Sequence, residues 1–160
     1  MSHYVSAEGL SKDLNQISLS LLNTVNEAGK SFSKLNERDW SAIVSTEKWS
    51  KKEILGHLID SAANNHIRFI KAQLAKEEFV GVGYEQNFFV ASQHYQDRNA
   101  ADLIQLWTIY NLHIAHVIRH VDSSKLDIKC KIGDYEPVTL LFLIEDYIGH
   151  IKHHLKQILG

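Results

Sequence analysis

Residues 139–160 read TLLFLIEDYIGHIKHHLKQILG. Leu140, Leu141, Phe142, Ile144, Ile148, Ile151, Leu155 and Ile158 recur at helical intervals, and Thr139 stands where a capping hydroxyl belongs, so the stretch predicts one amphipathic helix running almost to Gly160. Two histidines in it, His150 and His154, are four apart and share a face, whereas His153 is rotated by ~100° from His154 and belongs to another. Such a pair can aim two imidazoles at one point, but taken alone it reads as readily as two solvated or hydrogen-bonded histidines.

The same periodicity recurs upstream. From Asn99, a candidate cap, the residues Leu103, Ile104, Leu106, Trp107, Ile114, Val117, Ile118 and Val121 predict a third helix ending near Val121. A second is announced by Ser50-Lys51-Lys52-Glu53, which has capping-box spacing, and continues through Ile54, Leu55, Leu58, Ile59, Ala62, Ala63, Ile67 and Ile70 to about Leu74. The first spans about Ala7 to Leu35, with Leu10, Leu14, Ile17, Leu21, Leu22 and Val25 on one face and Gly29 a candidate end or bend.

Between these helices, the loop before Ser50 carries Trp40 and Trp49, and residues 75–98 are irregular, with Gly81 and Gly83 beside Tyr84, Phe88 and Phe89. So long a connection is expected to hold a short helix and to cover something. Residues 125–138 alternate partly like strand and Gly133-Asp134 suits a turn, but one isolated hairpin is marginally stable, so they read as an extended crossover. Pro137 is the sole proline. The expected architecture is all-α: an antiparallel four-helix bundle with long crossover connections, one domain over residues 1–160.

Composition narrows the function. A formal charge of −2 offers no basic surplus for nucleic acid, and the apolar runs, such as Val138 to Ile144, fall well short of the ~20 residues that span a bilayer. MSHYVSAEGL lacks a basic-then-apolar signal pattern, so the cytoplasm is expected. With Cys130 alone there is no intrachain disulfide and no cysteine cage, so a metal would have to be held by His, Asp or Glu. Cys130 itself reads as a small buried apolar residue, and Trp40, Trp49 and Trp107 as core or loop anchors.

In the second helix His57 lies between Leu55 and Leu58 in an apolar stretch, where an imidazole without a partner would be penalised by desolvation. Ser61, Asn64 and Arg68 follow at intervals of four, three and four, making one polar stripe that should face a cleft. A histidine satisfied by a carbonyl or water, beside an ordinary wet face, explains the pattern equally well.

The segment Trp49 to Phe69, WSKKEILGHLIDSAANNHIRF, resembles the second helix of the DinB-like proteins, in particular the branch related to the bacillithiol transferase and also described as metal-dependent hydrolases. Glu136-Pro137-Val138-Thr139-Leu140 and the stretch His150 to Ile158 resemble the final helix of that family. The resemblance runs from the first helix to Gly160, and it implies that His57, His150 and His154 ligate a divalent metal ion with Asp60, Asn64 and Arg68 nearby. Three imidazoles leave positions for water or substrate, as a catalytic site requires. Such ligands suit zinc or nickel, with iron also compatible.

Other roles are less determined by spacing. Asp60, three after His57, and Asp146, four before His150, are each either an acceptor orienting an imidazole or a surface carboxylate. Arg68 suits an anionic group of a substrate or thiol cofactor, or a neighbouring acid. Asn64 suits substrate or an inter-helix hydrogen bond. On the third helix His113, His116 and His120 also share one face, but with Asn111 and Arg119 beside them a polar outer surface is the simpler reading. The resemblance implies a divalent-metal-dependent enzyme acting on a small electrophilic substrate, either a thiol S-transferase using a low-molecular-weight thiol such as bacillithiol or a hydrolase, and a homodimer. The alternative is a non-catalytic metal-binding or stress-related dimeric bundle.

Overall fold

The computed structural model describes residues 13–160. Four long helices form its body: α1 (Leu14–Phe32), α3 (Lys51–Ala72), α5 (Ala100–Arg119) and α6 (Leu140–Leu159), with short helices α2 (Glu37–Ser41) and α4 (Gln86–Ser92) in the connections. These correspond to the four expected helices, with every end but the start of the first moved by a few residues at most. Asp13 caps α1 through the amides of Asn15 and Gln16, and the helix passes Gly29 unbroken; the expected start at Ala7, with Leu10, lies outside the described residues. The Ser50/Glu53 capping box is formed, Asn99 accepts from the Ala101 amide, and Thr139 accepts from Phe142.

Contacts between the helices set their directions. Ser18 Oγ donates to the Ala115 carbonyl while Phe32 packs on Trp107, so α1 and α5 are antiparallel. Lys51 reaches the Ile158 carbonyl and Phe69 packs on Tyr147, so α3 and α6 are antiparallel too. Ser50 bonds Gln96 and Gln73 accepts from the Asp122 amide, so α3 and α5 run the same way. Parallel neighbours cannot be joined by a short turn, which is why residues 73–99 travel the length of the bundle. Leu21, Leu55, Leu58, Leu103, Trp107, Ile114 and Ile151 occupy the core between the four, all fully buried.

The crossovers carry a small sheet that sequence patterning left as extended chain. Strand β2 (Lys129–Ile132) pairs antiparallel with β3 (Val138–Thr139) and parallel with β1 (Glu78–Gly81). A hairpin there would be marginal by itself. The third strand comes from a segment about fifty residues away, invisible to local patterning, and Gly133, at φ 55°, donates its amide to the Gly81 carbonyl to lock the turn. Among the described residues no helix is long and apolar enough to cross a membrane.

Candidate metal centre

His57 is in the second turn of α3 and His150 and His154 are on consecutive turns of α6. Because the two helices are antiparallel, their facing stripes bring the three imidazoles together. Their ring centroids are 4.5–5.0 Å apart, and one nitrogen from each lies within 4.8 Å of the others. Nε2 of His57 is 3.1 Å from Nε2 of His150. Two nitrogens bound to one tetrahedral zinc would be about 3.3 Å apart, so this spacing fits a shared cation.

The electrostatics fit as well. Burial, reinforced by the neighbouring imidazoles, pushes the pKa of His57 down to about 3 and that of His150 down to about 4, and burial also lowers His154. All three are therefore neutral near pH 7, the form that ligates a metal. Fully buried His57 keeps an Nδ1 without a hydrogen-bond partner among the described residues. The Nδ1 atoms of the other two are engaged: His154 with Gln157 Oε1 at 2.7 Å and His150 with Ser61 Oγ at 3.4 Å. When those oxygens accept from Nδ1–H, each ring turns its Nε2 lone pair to the cluster. Gln157 was not expected from sequence; its signal is its place three residues beyond His154. His153 does face elsewhere, yet its Nε2 is 3.3 Å from the same glutamine amide. Trp49 lies against His57 with ring centroids 5.0 Å apart, so it shields the cluster as well as anchoring a loop.

The remaining predicted residues separate into two groups. Ser61, Arg68, Asp146 and His150 line one cavity of about 590 Å³ between α3 and α6, walled also by Cys130, Ile132 and Val138 of the sheet. Asp60 serves a different network: its Oδ1 accepts from Tyr95 and Gln93, each at 2.6 Å, and among the described residues no histidine donates to it. Burial raises its pKa. Gly56 permits this arrangement, since a Cβ there would sit 2.1 Å from the Tyr95 ring. Asn64 spends its amide on the Asp60 carbonyl one turn back. Arg68 donates to the Val82 carbonyl and pairs with no acid among the described residues.

The other histidine set does not converge. His113, His116 and His120 are exposed, and His57, His150 and His154 form the only group among the described residues placed to hold a metal. Asn111, read from sequence as part of a polar outer face, is instead fully buried, donating to the Trp107 carbonyl and accepting from Tyr147 at 2.6 Å. Its polar group is satisfied by a partner on another helix. Cys130 is buried and its thiol is pushed up to about 11, in keeping with a packing role.

Fold and site together define a four-helix bundle with a three-histidine cluster, one member of which, His150, lines a partly enclosed cavity. Among solved structures, that of YfiT from Bacillus subtilis, described as "a probable metal-dependent hydrolase with an unusual four-helix bundle topology", superposes with a TM-score of 0.81, covering 99% of this chain and 91% of that one at 17% identity. At that identity the likeness establishes the fold. The chain matches no family model and no curated protein.

Proposed function

We propose that this protein is a divalent-metal-dependent enzyme of the DinB-like kind, a hydrolase or thiol S-transferase acting on a small electrophilic substrate. The reading is carried by one observation: three neutral imidazoles from two helices lie within 4.8 Å of one another beside a cavity large enough for a small molecule. The description of YfiT as a probable metal-dependent hydrolase supports it. A zinc, nickel or iron ion held by His57, His150 and His154 would supply Lewis acidity, making a water or a low-molecular-weight thiol such as bacillithiol nucleophilic near neutral pH.

The chain contributes the rest. Ser61 and Gln157 orient two of the imidazoles, Trp49 excludes water from the His57 side, and the cavity receives the electrophile. For hydrolysis the group placed to take a proton from water is Asp146, an exposed carboxylate lining the same cavity as His150. A thiol that ionises on its own needs no such base. The DinB-like resemblance supports a homodimer.

The test is metal per chain by elemental analysis, followed by assays of ester or amide hydrolysis and of thiol conjugation. About one metal per chain with turnover supports the proposal. Loss of hydrolysis in Asp146→Asn by about a hundredfold would mark the hydrolase, whereas an unaffected conjugation rate would mark the transferase. Metal without turnover in either assay favours the non-catalytic bundle, and a chain that takes up no zinc, nickel or iron refutes both.

A further inference from the structure

The cavity beside the cluster has two unlike ends. Along α3 it is lined by Ser61, Asn65 and Arg68, which fall on one helical stripe, and along α6 by Leu143, Asp146 and His150. Ser61 marks the histidine end, since its hydroxyl is 3.4 Å from His150. Arg68 is seven residues further along the helix, a rise of about 10 Å. The wall between them is largely apolar, made by Cys130, Ile132, Val138, Phe142 and Leu143.

Arg68 is half-buried at the far end. One nitrogen is committed to the Val82 carbonyl at 2.9 Å, which holds the side chain in place without neutralising it. No carboxylate pairs with it among the described residues, and the half-buried Tyr84 lines the cavity beside it. A cation partly removed from water without a counter-ion is costly, and burial accordingly disfavours its charged form. An incoming anion would remove that cost, and the planar guanidinium fork suits a carboxylate best. Asp146 and Glu136 also line the cavity, and Arg68 is the one Lys or Arg among its lining residues.

We propose that the cavity binds an elongated amphipathic carboxylate, its anionic end on Arg68 and Tyr84, its apolar chain along the Val138–Phe142–Leu143 wall, and its far end about 10 Å away at the histidine cluster. This names the substrate class for the proposed site and rests on that reading for what happens at the histidine end. The anion subsite itself needs no metal, so the two can fail separately.

The experiment is a calorimetric titration of the purified protein with straight-chain carboxylates from butanoate to decanoate and with the matching 1-alkanols, repeated on Arg68→Ala, Arg68→Gln and His57→Ala. Carboxylates should bind wild type at least about tenfold more tightly than the alcohols, with affinity levelling off near octanoate as the chain reaches the imidazoles. That preference should vanish in Arg68→Ala and persist in His57→Ala, while alcohol affinity stays constant and reports an intact cavity. Arg68→Gln, which keeps a donor for the Val82 carbonyl, should lose the preference as well, covering the case in which the alanine variant does not fold. A carboxylate preference absent from wild type, or retained in both Arg68 variants, overturns the proposal. So does a preference lost in His57→Ala, which would place the anion on the histidine cluster. Metal content, measured separately, judges the metal reading alone.

Discussion

Two sets of three histidines stand out among the described residues, and only one of them converges. His113, His116 and His120 share a face of α5, yet they stand in solvent, and the closest pair among them, His116 and His120, has ring centroids 4.3 Å apart with no third ligand in reach among the described residues. His150 and His154 show no better spacing in the chain, but an antiparallel helix sets His57 against them. The comparison teaches that a helical stripe of imidazoles converges on one point only when a second element supplies the opposing ring and closes off the space between.

The sharpest way to break this contrast is to delete one ligand from each set. His57→Ala or His150→Ala should reduce metal from about one per chain to near none by elemental analysis, and His116→Ala should change nothing; metal retained in His57→Ala would mean that convergence is not what binds it. Acid comes next. The folded chain holds His57 and His150 neutral, with pKa values pushed down to about 3 and about 4, whereas in the unfolded chain they protonate from about 6.5 downward. The unfolded state therefore binds more protons, and stability present at neutral pH should fall as pH drops from about 6.5 toward 4. Urea midpoints between about pH 7 and pH 5 should decline less steeply in the His57→Ala, His150→Ala double variant than in wild type. Equal slopes would show that these two groups do not govern the acid response.

Smaller changes probe how the cluster is held. Gly56→Ala drives a methyl into the Tyr95 ring and should cost about 2 kcal/mol in denaturant unfolding while loosening the Tyr95–Asp60 bond beside His57. A neutral result would mean that Tyr95 is free to move away. Gln157→Ala removes the acceptor on His154 and should weaken metal binding by about tenfold, with Gln157→Glu restoring it, as competition with a chelating dye would read out. An unchanged affinity would assign His154's orientation to its helix alone.

Much of the fold was legible because helix formation and capping are local. Ser50 with Glu53, Asn99 and Thr139 all cap where expected, and the 3.6-residue apolar pattern placed four helices, with the start of the first the one end it did not fix. The sheet was not legible, since β1 and β2 are far apart in the chain and each is four residues long. Nor was the place of Asn111: a polar residue beside Arg119 reads as surface until Tyr147 on another helix is known to satisfy it.

By itself the sequence determined the helices, the pairing of His150 with His154 on one face, and the isolation of His57 in an apolar stretch. All of these follow from short-range geometry, which repeats every turn. Only the tertiary structure decided that Asp60 serves Tyr95 and not an imidazole, that Gln157 orients His154, and that α3 and α6 oppose their stripes so that three nitrogens meet. The direction and facing of packed helices depend on contacts between residues roughly ninety positions apart, as between His57 and His150, and no local pattern carries that information.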